Sequence, residues 1–104
     1  SGAQSQAEEL LVQLLVDAGV SGFIANYPVV CARRSYRIDV AFPAARLAVE
    51  VDGQAFHTDA RSFQGDRARQ NDLIAAGWRV LRFTWRDLTT RPESVLRDIA
   101  GFLV

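Results

Sequence analysis

The chain has no lysine and no methionine, and only one cysteine and one histidine. Without lysine there is no Schiff-base chemistry, no lysine general base and no ammonium group to hold a phosphate; all twelve basic residues are arginine. Cys31 on its own excludes an internal disulfide and fits a reducing, cytoplasmic setting. Its place in an apolar, strand-like run reads as a small buried hydrophobe. Twelve acidic residues balance the arginines, so the net charge is zero and no global field draws the chain to nucleic acid. Any such attraction has to come from local clusters, either Arg33, Arg34 and Arg37 or Arg61, Arg67 and Arg69. No apolar run approaches the ~20 residues of a membrane span. The missing methionine and the opening Ser1-Gly2, read as a cloning remnant, point to one domain over 1–104 cut from a longer polypeptide. An upstream domain of the same polypeptide is therefore an expected partner.

What is present is regular alternation and a few strong stops. Ser5-Gln6-Ala7-Glu8 matches a capping box, and Ala7, Leu10, Leu11, Leu14, Leu15 and Ala18 follow at helical spacing up to Gly19. Residues 26–33, 36–42 and 46–52 read as strands, the first two joined by a turn at Arg33–Ser35. A loop over Gly53–Ser62 carries His57. A helix of about a dozen residues then runs to Ala76 and stops at Gly77. Its apolar stripe of Phe63, Leu73 and Ile74 is interrupted by Asp66, Arg67 and Gln70, which either face a wet site or mark a rotated helix. Trp78–Thr84 is a fourth strand, and Thr90-Arg91-Pro92-Glu93 opens a last helix with Val95, Leu96, Ile99 and Phe102 on its buried side. This order predicts an α+β fold with a mixed four-stranded sheet flanked by helices.

The chemistry gathers in residues 38–57. Ile38, Val40 and Phe42 alternate with Asp39; Leu47, Val49 and Val51 alternate with Glu50 and Asp52. If the two runs form a hairpin around Pro43–Arg46 with both apolar sets on one core, Asp39 stands opposite Glu50, with Asp52 further along. Opposed side chains lie about 5 Å apart. Two carboxylates at that separation repel by roughly 3 kcal/mol at an effective dielectric near 20. A divalent cation with oxygen ligands removes that cost. Ala41 and Ala48 on the same face leave room beside the acids.

The strings Glu8-x-x-Leu11, Ile38-Asp39-Val40-Ala41-Phe42, Val49-Glu50-Val51-Asp52-Gly53 ending in His57, Asp66-x-x-Arg69 with Leu73, and Gly77-Trp78-Arg79-Val80-Leu81-Arg82-Phe83 resemble the PD-(D/E)XK nuclease superfamily. Within it the chain is most similar to the very-short-patch-repair (Vsr) endonuclease branch and a widespread bacterial domain family there. The resemblance implies a restriction-endonuclease-like αβββαβα core. It implies Asp39 and Glu50 as ligands of Mg²⁺ or Mn²⁺, with the Val51 carbonyl as a further ligand. It also implies Glu8 as a first-helix acid that arranges the site, and His57 as the branch's histidine. The typical superfamily lysine, two residues after the second acid, is here Asp52. That residue either binds a second metal, activates water, or is tied to an arginine such as Arg82. The expected activity is metal-dependent hydrolysis of phosphodiester bonds in DNA, with Arg61, Arg67 and Arg69 as the phosphate-binding patch. The rival expectation is a catalytically silent nuclease-like module that binds nucleic acid or protein.

Overall fold

The structure, a computed structural model, describes residues 2–52 and 60–104. His57 and the rest of the loop around it lie outside the described residues, as does the side chain of Arg61. The elements are α1 (Gly2–Asp17), β1 (Ile24–Cys31), β2 (Arg34–Phe42), β3 (Leu47–Asp52), α2 (Ala60–Ala75), β4 (Arg79–Thr84), α3 (Trp85–Thr90) and α4 (Pro92–Phe102). They build a mixed four-stranded sheet in the order β1-β2-β3-β4. The first two pairings are antiparallel, and β3 and β4 run parallel across the α2 connection.

The β2–β3 hairpin closes through a single 3₁₀ turn at Pro43–Ala45, with Arg46 left-handed at φ 52°. Val40 pairs with Val49, Ala41 with Ala48 and Phe42 with Leu47. That register, continued outward, sets Asp39 across from Glu50, as the alternation requires. Val40, Phe42, Leu47, Val49 and Val51 form one buried cluster with Leu11 and Leu15 of α1, Leu88 of α3, and Val95 and Ile99 of α4. Each such side chain contributes about 1.5–3 kcal/mol when fully buried. On the opposite face Ala41, Ala48, Cys31 and Trp78 pack in one cluster with Leu73 of α2.

Ile38 departs from the expected face. It joins the cluster beneath α2, apart from Val40 and Phe42. The irregularity lies at the facing residues Asn26 and Asp39, which the β1–β2 ladder skips between Ala25↔Val40 and Tyr27↔Ile38 without a change of register, Asn26 being left-handed at φ 52°. The alternation therefore breaks at Asp39, where a regular strand would have continued it.

Other boundaries also shift. The β1–β2 turn is Ala32-Arg33, both at positive φ (52° and 64°), the conformation of a two-residue primed turn, so it sits earlier than Arg33–Ser35. Helix α1 starts at Gly2, which places Ser5 inside the helix and removes its role as a cap. Both α1 and α2 stop at a left-handed glycine, Gly19 (φ 74°) and Gly77 (φ 96°). Val20 N–H donates to Leu15 O at 2.9 Å, and Trp78 N–H to Leu73 O at 3.0 Å, closing the wide hydrogen-bonded loop typical of such stops. Helix α3 was not expected. Thr84 and Asp87 cap it reciprocally, each side chain accepting from the other's main-chain N–H. No helix among the described residues is long and apolar enough to cross a membrane.

Candidate functional site

β2 and β3 part beyond the Val40–Val49 pair, and two carboxylates fill the fork. Asp39 N–H donates to Glu50 Oε2 at 2.9 Å, and Val51 N–H donates to Asp39 Oδ2 at 2.9 Å. Each acid thus uses one oxygen to satisfy a main-chain donor on the other strand, which the widening ladder would otherwise leave open. Glu50 is only 1% exposed, the one charged residue among the buried described residues. Its Oε1 accepts no hydrogen bond of regular geometry, and its counter-charge is the guanidinium of Arg69, reaching down from α2. Arg69 also donates to the Arg37 carbonyl and lies over the Tyr36 ring, 5.8 Å from its centroid. Tyr36 in turn hydrogen-bonds Asp72 of α2. Asp66, Arg69 and Asp72 of this helix therefore meet polar partners on the sheet, while Leu73 is its buried anchor and Ile74 is half-exposed.

Glu8 reaches the fork from α1 through an amide. Gln4 Nε2 donates to Val51 O at 2.9 Å and to Glu8 Oε2 at 3.2 Å, joining the two groups that the sequence singled out separately. Gln4 itself was missed, although it lies one helical turn before Glu8, where i,i+4 side chains meet. Asp39 feels all of these groups. Burial raises its carboxyl above the ordinary value of 3.8 and the Glu8 charge adds to the rise, against the opposing effects of the Val51 N–H and of Arg69 and Arg82.

Asp52 is held by arginine. Arg82 of β4 donates from Nε and Nη2 to Asp52 Oδ1, at 3.0 and 2.7 Å, and its Nη2 meets Asp66 Oδ2 of α2 at 3.3 Å. Arg82 is the register partner of Glu50 on the parallel strand, so both project to the α2 face. The structure thus brings Glu8, Asp39, Glu50, the Val51 carbonyl, Asp52 and Arg69 together. Arg67 is exposed on α2, and Arg33, Arg34 and Arg37 are exposed on the β1–β2 hairpin. No group of three or more His, Cys, Asp or Glu side chains among the described residues is placed to hold a metal ion.

A protein-family model, REase_MTES_1575, matches residues 8–103 of the chain. The chain belongs to this restriction-endonuclease family. The match spans every element from α1 to α4 and places the chain in the restriction-endonuclease-like superfamily, among nuclease-like proteins. The protein YcjD of Escherichia coli (strain K12) is 38% identical over 65 residues, covering 62% of this chain and 53% of that relative. The chain thus spans about half the length of this curated relative. Among solved structures, the catalytic domain of the homing endonuclease I-Bth0305I superposes with a TM-score of 0.69 over 92% of this chain and 91% of that one, at 19% identity. At that identity the likeness is one of fold: both share the helix-flanked mixed sheet.

Proposed function

We propose that this domain is a metal-dependent endonuclease that hydrolyses phosphodiester bonds in DNA, with Asp39 and Glu50 as the acids of its centre. The observation that carries the reading is the fork itself. Two carboxylates exchange main-chain hydrogen bonds there, and among the described residues a buried Glu50 oxygen has only a guanidinium for counter-charge. Burying such an oxygen is costly without a partner that answers its charge. Two carboxylates and a carbonyl form a hard-oxygen donor set suited to Mg²⁺ or Mn²⁺. Asp39, Glu50 and the Val51 carbonyl would hold that cation, which supplies polarisation of the phosphodiester and acidification of bound water.

The chain's own residues would do the rest. Asp39 and Glu50 fix the position of the site because their second oxygens are anchored to strand N–H groups. Glu8 adds negative charge beside Asp39 and strengthens its demand for a cation. His57 is assigned as general acid or base, or as a hold on the phosphate. Arg61 and Arg67 of α2 are assigned to the DNA backbone; Arg69 shares that assignment but is also the partner of Glu50. The choice of DNA is supported by the motif strings of residues 8–83 and by membership of a restriction-endonuclease family, and that of the Vsr branch by the motif strings alone.

The test is cleavage of labelled single- and double-stranded DNA with Mg²⁺ or Mn²⁺, by wild type and Asp39→Ala at verified equal folding. Cleavage by wild type and none by Asp39→Ala is the expected result. Equal cleavage by both places the activity elsewhere. A folded wild type that binds DNA without cutting it under either metal turns the reading to a silent binding module.

A further inference from the structure

An anionic phosphate that approaches Glu8, Asp39, Glu50, Asp52 and Asp66 meets net negative charge, so the site requires a cation of its own that solvent can reach. With no lysine in the chain, the permanent cations are all arginines. Arg69 is committed to buried Glu50, to the Arg37 carbonyl and to the Tyr36 ring. Arg82 is placed differently. It stands beside Glu50 in the sheet register, and its charge is felt at Asp39. Its partners Asp52 and Asp66 are 42% and 50% exposed, and its bonds to them use Nε and Nη2 but not Nη1. Ion pairs this open to water are worth little to the fold, about 0–1 kcal/mol. They do fix where a guanidinium points.

We propose that Arg82 is the phosphate-directed cation of this site, positioned by Asp52 and Asp66, so that the positive charge comes from β4 and the acid at position 52 orients it. This rests on the nuclease reading above for its catalytic meaning, but the contact with phosphate is measurable without turnover. A guanidinium presents paired donors that match phosphate oxygens, and an arginine clamped by carboxylates loses less freedom on engaging them.

The experiment uses the full chain, a labelled duplex with phosphorothioate linkages and Ca²⁺, read by fluorescence anisotropy across a salt series. Arg82→Ala is expected to weaken binding and to flatten the dependence of log affinity on log salt by about one unit. Arg82→Lys is expected to keep the slope, since it preserves the charge. In Mn²⁺ cleavage assays, Arg82→Ala should lower kcat by about 10²–10³-fold while Mn²⁺ binds no more weakly, since the variant removes a positive charge felt at Asp39. The exchange variant Asp52→Lys/Arg82→Asp, which moves the cation to β3, should recover part of that loss. An unchanged slope in Arg82→Ala overturns the proposal. So does an equal loss in Arg82→Ala and Arg82→Lys, which marks a guanidinium needed only to pin α2 to the sheet. Should wild type bind but cut nothing, the nuclease reading fails while the slope still decides whether Arg82 meets phosphate; should wild type bind neither the duplex nor its separated single strands, both fall.

Discussion

Arg69 on α2 neutralises Glu50 on β3, a carboxylate with almost no contact with water. The guanidinium stands where the nuclease reading requires positive charge on the acid pair. Removing one partner of a buried ion pair leaves the other uncompensated, at a cost of about 3–5 kcal/mol. Arg69→Ala is therefore expected to lose about 3 kcal/mol of stability in chelator, measured by urea unfolding. Mn²⁺ should restore more stability to this variant than to wild type, because a ligand that binds only the folded state stabilises it and Glu50 then lacks its internal counter-ion. A variant as stable as wild type in chelator would mean that Glu50 finds another partner.

Asp39 gives a pH signature. Burial, then the Glu8 charge, raises its carboxyl above 3.8, so the folded protein binds this proton more tightly than the unfolded chain does. Ionised Asp39 therefore costs stability above its folded value, and that cost fades as pH falls through the folded value towards 3.8. Asp39→Asn, which keeps an acceptor for Val51 N–H, is expected to be more stable than wild type at pH 7 in chelator. The advantage should shrink near pH 4. Urea midpoints at the two pH values measure it, and an advantage that grows on acidification would contradict the assigned shift.

Local chemistry explains why part of this site was readable in advance. Alternation in β2 and β3, with a turn as short as Pro43–Ala45, leaves one register that puts Val40, Phe42, Leu47 and Val49 on one core, and Asp39 and Glu50 follow from it. The Ile38 face was not readable, because the left-handed Asn26 that breaks the alternation lies on another strand. Gln4 meets Val51 across 47 residues, and Arg82 meets Asp52 across 30, a tie that the sequence offered only as one of three readings of Asp52. Such pairings are fixed by packing rather than by spacing. Helix α3 was the opposite case: Thr84-x-x-Asp87 is a legible cap, passed over because Trp85–Thr90 is too short to show a period.

His57 is the residue assigned to proton transfer. His57→Ala should leave Mn²⁺ affinity largely intact while lowering turnover by about 10²–10⁴-fold, the usual range for a lost general acid or base. Isothermal titration with Mn²⁺ beside a cleavage time course separates the two effects. Loss of metal affinity in step with turnover would make His57 a ligand instead.

Gln4 supplies the closest test of the third proposed ligand. Its amide donates to the Val51 carbonyl at 2.9 Å, the same oxygen that the nuclease reading gives to the cation. If that oxygen binds metal, the amide competes for it, and binding has to displace or share a hydrogen bond worth about 1 kcal/mol. Gln4→Ala is therefore expected to cost about 1 kcal/mol of stability in chelator and to tighten Mn²⁺ binding several-fold. Glu8 also loses its amide partner in this variant, which adds uncompensated negative charge near Asp39 and works in the same direction. Gln4→Leu, similar in size and without donors, separates packing from hydrogen bonding: the same tightening in both variants assigns the effect to the amide. Unchanged Mn²⁺ affinity in both, with the stability loss observed, would remove the Val51 carbonyl from the ligand set and leave Gln4 as a tie between α1 and β3.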